Sequence, residues 1–338
     1  MKPDPIRAIA DAVLYEGYIL WPYRRSALKN QRRFTFGGVY PPAHSERHPD
    51  DAHTMQSEVL LRADPQVQVQ VQVSVRYLHV VARTAARRRG EEMEPVDELV
   101  VDGERHQSWE EAVERTVEPA PIALDQLRTG YTEPIAVPAG SELEGLRDRT
   151  GEVAGALIRS WKELQGELRL SATPLADDLW RLGATIANTT RFGSGDDRQR
   201  ALAQTFCSTH TLLHAPRGSF VSLTDPPEEL EAEAAACRNV GTWPVLVGEA
   251  SEHGTMLSSP IILEDHPRIA PESPGDLFDG GEIDQLLILS ILSMTEDERA
   301  EMAASDPRAR EILERTEALS TDQLMALHGT VRELGMVR

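Results

Sequence analysis

Residues 256–287 (MLSSPIILEDHPRIAPESPGDLFDGGEIDQLL) hold the densest set of groups that could do chemistry. His266 stands between Asp265 and Pro267, Glu272 and Ser273 follow, and Glu282 and Asp284 open the next helical run. A histidine held by a carboxylate can serve as general base or metal ligand, because the carboxylate fixes its tautomer and stabilises the imidazolium. A strand-like run over 257–263 would feed this loop, the arrangement by which a rigid element positions loop residues. His266, Glu272, Ser273, Glu282 and Asp284 are therefore the candidate binding residues. No glycine-flanked nucleophile, phosphate loop or H-E-x-x-H pattern accompanies them. A purely local reading competes and is favoured: Pro267, Pro271 and Pro274 stiffen the loop, Asp279 and Glu282 cap a helix, and Asp265 anchors a turn.

A second constellation lies in 198–214 (RQRALAQTFCSTHTLLH). Read as a helix, it puts Cys207, His210 and His214 on one face at i, i+3 and i+7, and Cys237 completes a zinc-like ligand set. Cys207 and His214 would then be about 10 Å apart along the axis, too far to share one ion without strain. The metal candidates are thus His210 and His214, with Cys237 from elsewhere, and the cofactor expected is a divalent transition metal. The favoured alternative is an apolar stripe (Leu202, Phe206, Thr209, Leu213) with Cys207 as a small core residue and His210 a hydrogen-bonded edge histidine. Arg238 and Asn239 are candidates for lining a cleft, against a helix end closed by Gly241.

The positioning elements follow from pattern. Residues 5–14 have helical spacing with Pro5 at the first position. Residues 66–75 alternate strictly, glutamine on one face and valine on the other, a strand whose glutamine face sees water or a polar partner. Residues 83–92 (RTAARRRGEE) suggest a mobile loop, and 98–101, Asp102-Gly103 and 104 onward a hairpin. Ser108 and Glu111 have capping-box spacing for a short helix. Strands are expected over 164–173, 180–190, 219–223 and 243–247, a helix from about Glu228, and helix starts at Asp279, Thr295, Asp306 and Ser320. The fold class expected is α+β: an antiparallel β-sheet region in the first half, then a mostly helical C-terminal part. The domains expected are 1–117 (N-terminal helix plus antiparallel sheet), 118–150 (linker or insertion) and 151–338 (α+β C-terminal region).

Totals bound the function classes. The 338 residues suffice for a large core, and two cysteines are too few for a disulfide framework. Residues 1–90 carry 14 Lys/Arg against 8 Asp/Glu, a net +6, so the overall −20 leaves −26 for the rest. Such an acidic bulk disfavours nucleic acid as a partner. The aromatic and basic stretch 15–36 fits a protein-docking surface better. No apolar run is long enough to span a membrane, and the cytoplasm is the expected setting.

Four phrases are similar to a family of uncharacterised actinobacterial proteins associated with [NiFe]-hydrogenase gene clusters. They are VLYEGYILWPYRRSALKNQRRFTFGGVYPP (13–42), STHTLLHAPRGSFVSLTDPP (208–227), GTWPVLVGE (241–249) and LSSPIILEDHPRIAPESPGDLFDGGEIDQLLILSILSMTEDE (257–298). Trp21 stands where the family carries tyrosine. Gln285 replaces an acidic residue, which weakens a multi-carboxylate metal site beside Asp284. The resemblance implies an accessory role in metalloenzyme assembly, hydrogenase maturation in particular, with a metalloenzyme subunit or maturation factor as protein partner. It transfers no catalytic role. The competing expectation is a metal-dependent, hydrolase-like enzyme activating water at His210 and His266 with nearby acidic residues.

Overall fold

The alternating glutamines and valines enter a 20-residue strand, β2 (Gln70–Arg89), around which the protein is built. A computed structural model describes residues 5–15, 34, 36–193, 198–268 and 290–319. Five strands pair with β2: β3 (Glu92–Val96), β6 (Trp109–Val117), β7 (Ile122–Ala123), β10 (Val153–Trp161) and β13 (Cys207–His214). Their overlapping registers divide them between its two edges. Val75 is flanked by Thr211 and Val117, and Ala85 by Leu157 and Val96, so β13 and β10 share one edge and β7, β6 and β3 the other. The sheet extends past β13 to β16 (Thr255–Ser259) and β15 (Trp243–Leu246), and past β10 to β9 (Gly140–Arg147).

A second sheet runs in the order β14 (Gly218–Phe220), β1 (Thr54–Ala63), β12 (Leu179–Asn188), β11 (Leu164–Pro174), β8 (Tyr131–Val137). The two sheets share strands end to end. Leu164 opposes Val137 and Trp161 opposes Gly140 in one unbroken register, so 131–147 and 153–174 form a single long ribbon that bends from one sheet into the other. Between the sheets Val71, Val73, Val75 and Tyr77 of β2 meet Val59, Leu61, Leu168, Leu182, Ile186 and Phe206. Each such side chain contributes roughly 1.5–3 kcal/mol on full burial. The Tyr77 and Phe206 rings meet edge to face at 4.7 Å, and a Cβ at Gly166 would come within 2.7 Å of the Phe206 ring.

Gln70 and Gln72, on the opposite face of β2, are exposed as the alternation requires. From Arg76 to Val81 burial becomes continuous because helices cover that face. They are α1 (Pro5–Tyr15), α3 (Arg198–Leu202), α5 (Glu296–Ser305) and α6 (Pro307–Glu317), which bring Leu14, Leu202, Met302, Ile312 and Leu313 onto Leu78 and Val80. Two shorter helices, α2 (Pro42–Ser45) and α4 (Glu231–Ala235), lie elsewhere, α4 packing Ala234 on Leu60 at the outer face of the second sheet. Among the described residues no helix is long and apolar enough to cross a membrane.

The expected α+β division with a mostly helical C-terminal part is overturned. Antiparallel strands continue to Ser259, and among the described residues the helices are few and short. The decisive segment is 198–214. Helix α3 stops after Leu202, where Thr205 donates its hydroxyl to the Ala201 carbonyl at 2.7 Å, and 207–214 becomes β13, paired with both β2 and β16. Ladder bonds on both edges and β-branched Thr209 and Thr211 prevail over helical spacing that was coincidental. The loop expected over 83–92 is instead the end of β2, a turn at Gly90 (φ +66°) and β3. Ser108 caps no helix: its hydroxyl donates to Val96 O at 2.6 Å and accepts from Ala85 N at 2.9 Å, stitching strands at the start of β6.

Other expectations match the structure. Asp102 and Gly103, both at positive φ, turn β4 (Glu98–Val101) into β5 (Glu104–Gln107). Thr295 and Glu298 form a capping box, and Asp306 accepts from Arg308 N ahead of Pro307. The segment 118–150, read as linker or insertion, carries β7, a 3-10 turn (Leu124–Thr129), β8 and β9. The helix starts expected at Asp279 and Ser320 lie outside the described residues.

Candidate functional site

The strongest polar constellation forms where α1 lies on the large sheet. Arg76 of β2, nearly buried, donates to Asp11 of α1 and to Glu114 of β6, the latter through Nε at 2.9 Å and Nη2 at 2.7 Å. Burial alone would lower the Arg76 pKa, but hydrogen bonds to Asp11 and Glu114 more than offset it, and the pKa is raised. His210 of β13 stands directly opposite Arg76 in register. It is fully buried; its Nδ1 lies 3.4 Å from Ser208 O, while Nε2 has no hydrogen-bond partner. Burial, reinforced by the Arg76 charge, pushes its pKa down to about 3, so His210 is neutral at physiological pH. At the end of α1 the Arg308 guanidinium sits 3.3 Å above the Tyr15 ring centroid, joining α6 to the cluster.

A second network continues along β2. Arg83 donates to Gln107 O (3.1 Å), to Glu111 (3.2 Å) and to Ala304 O and Ser305 O (2.9 and 3.1 Å) at the end of α5. Glu111 also accepts from Arg159, which reaches Glu144 at 2.7 Å. A cation bonded to the last carbonyls of a helix satisfies groups the helix leaves open. Arg83 thus ties the C-terminal helices to the sheet.

The residues expected to bind or coordinate are distributed differently. His266 follows β16 in a left-handed backbone conformation (φ 53°). Its N–H donates to Leu246 O at 2.7 Å and its Nδ1 lies 3.2 Å from Gly248 O, with the His253 ring 5.9 Å away. A carbonyl, not a carboxylate, is its partner. Neighbouring Asp265 is occupied otherwise, accepting from Leu246 N (2.7 Å), Thr224 Oγ1 (2.8 Å) and Ser222 Oγ. Glu272, Ser273, Glu282 and Asp284 lie outside the described residues.

The metal candidates do not converge. In a strand, four residues separate His210 and His214 by about 13 Å, and His214 bonds Thr255 Oγ1 at 2.9 Å on the exposed glutamine face. Cys237 lies at the end of α4 against the second sheet, its thiol 3.5 Å from Glu233 O, with the sandwich core between it and His210. Burial raises the Cys237 pKa, opposite to the need of a thiolate ligand. The hydrogen bonds of the two histidines lead to different places, His210 to Ser208 O and His266 to Gly248 O and Leu246 O. Among the described residues no group of three His, Cys, Asp or Glu could hold a metal ion.

Arg238 and Asn239 are fixed to β1 rather than lining a cleft. Arg238 N donates to the Glu58 carboxylate (2.8 Å), Asn239 Oδ1 accepts from Glu58 N (2.9 Å), and Val240 bridges Gln56.

Sequence reading missed Arg76, Asp11 and Glu114. Arg76 prolongs the polar parity of Gln70, Gln72 and Ser74, which is where a buried charge on that face would appear. Only the helical cover turns it from a surface residue into a cluster centre.

Parts of 13–42, 208–227, 241–249 and 257–298 meet in space. Thr209 N donates to Gly37 O (3.0 Å) and Ser208 N to Phe36 O (3.1 Å). A Cβ at Gly37 would lie 2.6 Å from the Pro260 ring, and Trp243 opposes Ser259 in register. In or beside these segments Phe36 (43 %), Val240 (45 %), Trp243 (45 %) and Ile262 (73 %) are exposed. Comparison with protein families, with curated proteins and with solved structures finds no match to this chain.

Proposed function

We propose that the protein is an accessory factor in metalloenzyme assembly, [NiFe]-hydrogenase maturation in particular, and that it acts by binding a protein partner. The observation that carries the reading is the exposed apolar surface of Phe36, Trp243 and Ile262. These residues belong to three of the four segments resembling the hydrogenase-associated family, and those segments are joined at Ser259 and Pro260. Large apolar side chains left in solvent on adjoining segments are candidate anchors for a partner. Aromatic anchors such as Trp243 carry a disproportionate share of binding energy at interfaces. A binding role also fits the polar residues of the site, which are engaged in holding elements together.

Co-purification from cells expressing the hydrogenase operon tests this directly. Tagged protein should retain a hydrogenase subunit or maturation factor, and Trp243→Asp with Ile262→Asp should lose it while keeping the folded circular-dichroism spectrum. Undiminished hydrogenase activity after deletion of the gene, with no subunit recovered, would refute the proposal.

A further inference from the structure

We infer that a second, small-molecule site lies at the far end of β2, where Arg88 and Arg147 would hold a phosphate-type oxyanion. The two guanidinium groups border a shallow, open surface depression that is also lined by Gly90, Glu152, Val153 and Ala154. It opens where β2, β10 and β9 end side by side, for Arg87 opposes Gly155 and Arg147 opposes Val153. Arg88 is ten residues along β2 from Leu78, the nearest residue that pairs with β13, about 30 Å at strand rise. The site is therefore separate from the apolar surface described above.

Three observations carry the assignment. First, both cations are pre-oriented by neutral acceptors. Arg88 donates from Nε to Gly90 O (2.9 Å) and from Nη1 to Val153 O (3.4 Å), and Arg147 from Nη1 to Gly151 O (2.8 Å). Second, neither forms an ion pair among the described residues, whereas Arg76, Arg83, Arg89, Arg159 and Arg310 all do. Third, guanidinium forks match the geometry of phosphate oxygens, and most of the five donors on each group remain free. Val153 and Ala154 supply an apolar wall for an attached organic group.

Glu152 lines the same depression and opposes an anion, which supplies an internal control. Calorimetric titration of the full chain at constant ionic strength, first with inorganic phosphate and then with phenyl phosphate, tests the site. Arg88→Gln and Arg147→Gln, both at exposed positions, should each weaken binding about 10-fold or more, and Glu152→Gln should strengthen it. Tighter binding of phenyl phosphate identifies an organic phosphate as the ligand class, and equal binding identifies the free oxyanion. Absence of saturable binding of either probe, or binding unchanged in the double arginine variant, overturns the inference. None of these outcomes bears on partner binding at Trp243.

Discussion

Acidification should destabilise this protein well above the pH at which carboxylates ordinarily protonate, and two histidines set the size of the effect. His210 and His79 are both fully buried. Burial, with Arg76 adding to it, pushes His210 down to about 3. Burial, with Arg115 adding to it, pushes His79 down to about 4, and nearby backbone of Lys162 and Ala203 pulls weakly the other way without reaching hydrogen-bond geometry. An unfolded histidine titrates near 6.5. Above that value both states are neutral and the full stability is present. As pH falls below it the unfolded chain takes up protons that the folded one refuses, so stability is lost, and the loss continues until the folded values of about 3 and 4 are reached. Each pH step of one below 6.5 costs about 1.36 kcal/mol per refused proton, so at pH 5 each histidine costs about 2 kcal/mol. Together they cost about 4 kcal/mol, a large fraction of the 5–15 kcal/mol typical of a whole domain. His106, lowered chiefly by burial, adds in the same direction. Urea unfolding at pH 7.5, 6.5, 5.5 and 5.0 measures this, and His79→Leu or His210→Gln should each roughly halve the slope. An unfolding free energy at pH 5.0 within 1 kcal/mol of that at pH 7.5 would refute the reasoning. So would His79 and His210 imidazole NMR signals that titrate near pH 6.5 in the folded protein.

The remaining predictions concern the ties between helices and sheet. Asp11→Asn, which leaves Arg76 with Glu114 alone, should destabilise by about 1–3 kcal/mol. Arg76→Met, which leaves two carboxylates facing each other under α1, should cost about 3–5 kcal/mol and raise proteolysis near Tyr15; equal effects of the two would count against Arg76 as the centre of the cluster. Phe206→Ala should cost about 3–5 kcal/mol by opening a cavity beneath Tyr77 and Gly166, read as a shift in urea midpoint at unchanged slope.

Much of the local structure was legible in the residues themselves. The valine and glutamine alternation predicted a one-sided strand, Asp102-Gly103 a hairpin, Pro5 a helix start, and Thr295 and Asp306 their caps, because each depends on backbone conformations or bonds made within a few residues. The order of the sheets and the fate of 207–214 were not legible. That segment carries helical spacing and strand-forming threonines together, and only the neighbouring β16 and β2, more than 40 and more than 120 residues away in sequence, decide between them. The candidate site divides in the same way. His210 was visible as a residue able to do chemistry, but its partner Arg76 was not, and the metal cluster imagined around it depended on a helix that does not form. Whether a polar residue is a ligand, a tie or a surface ornament depends on what lies opposite it across a sheet or beneath a helix. Side-chain chemistry and short-range backbone preference are properties of the chain, whereas burial and long-range pairing, which set the charge state of His210 and neutralise Arg76, exist only once distant segments have packed together.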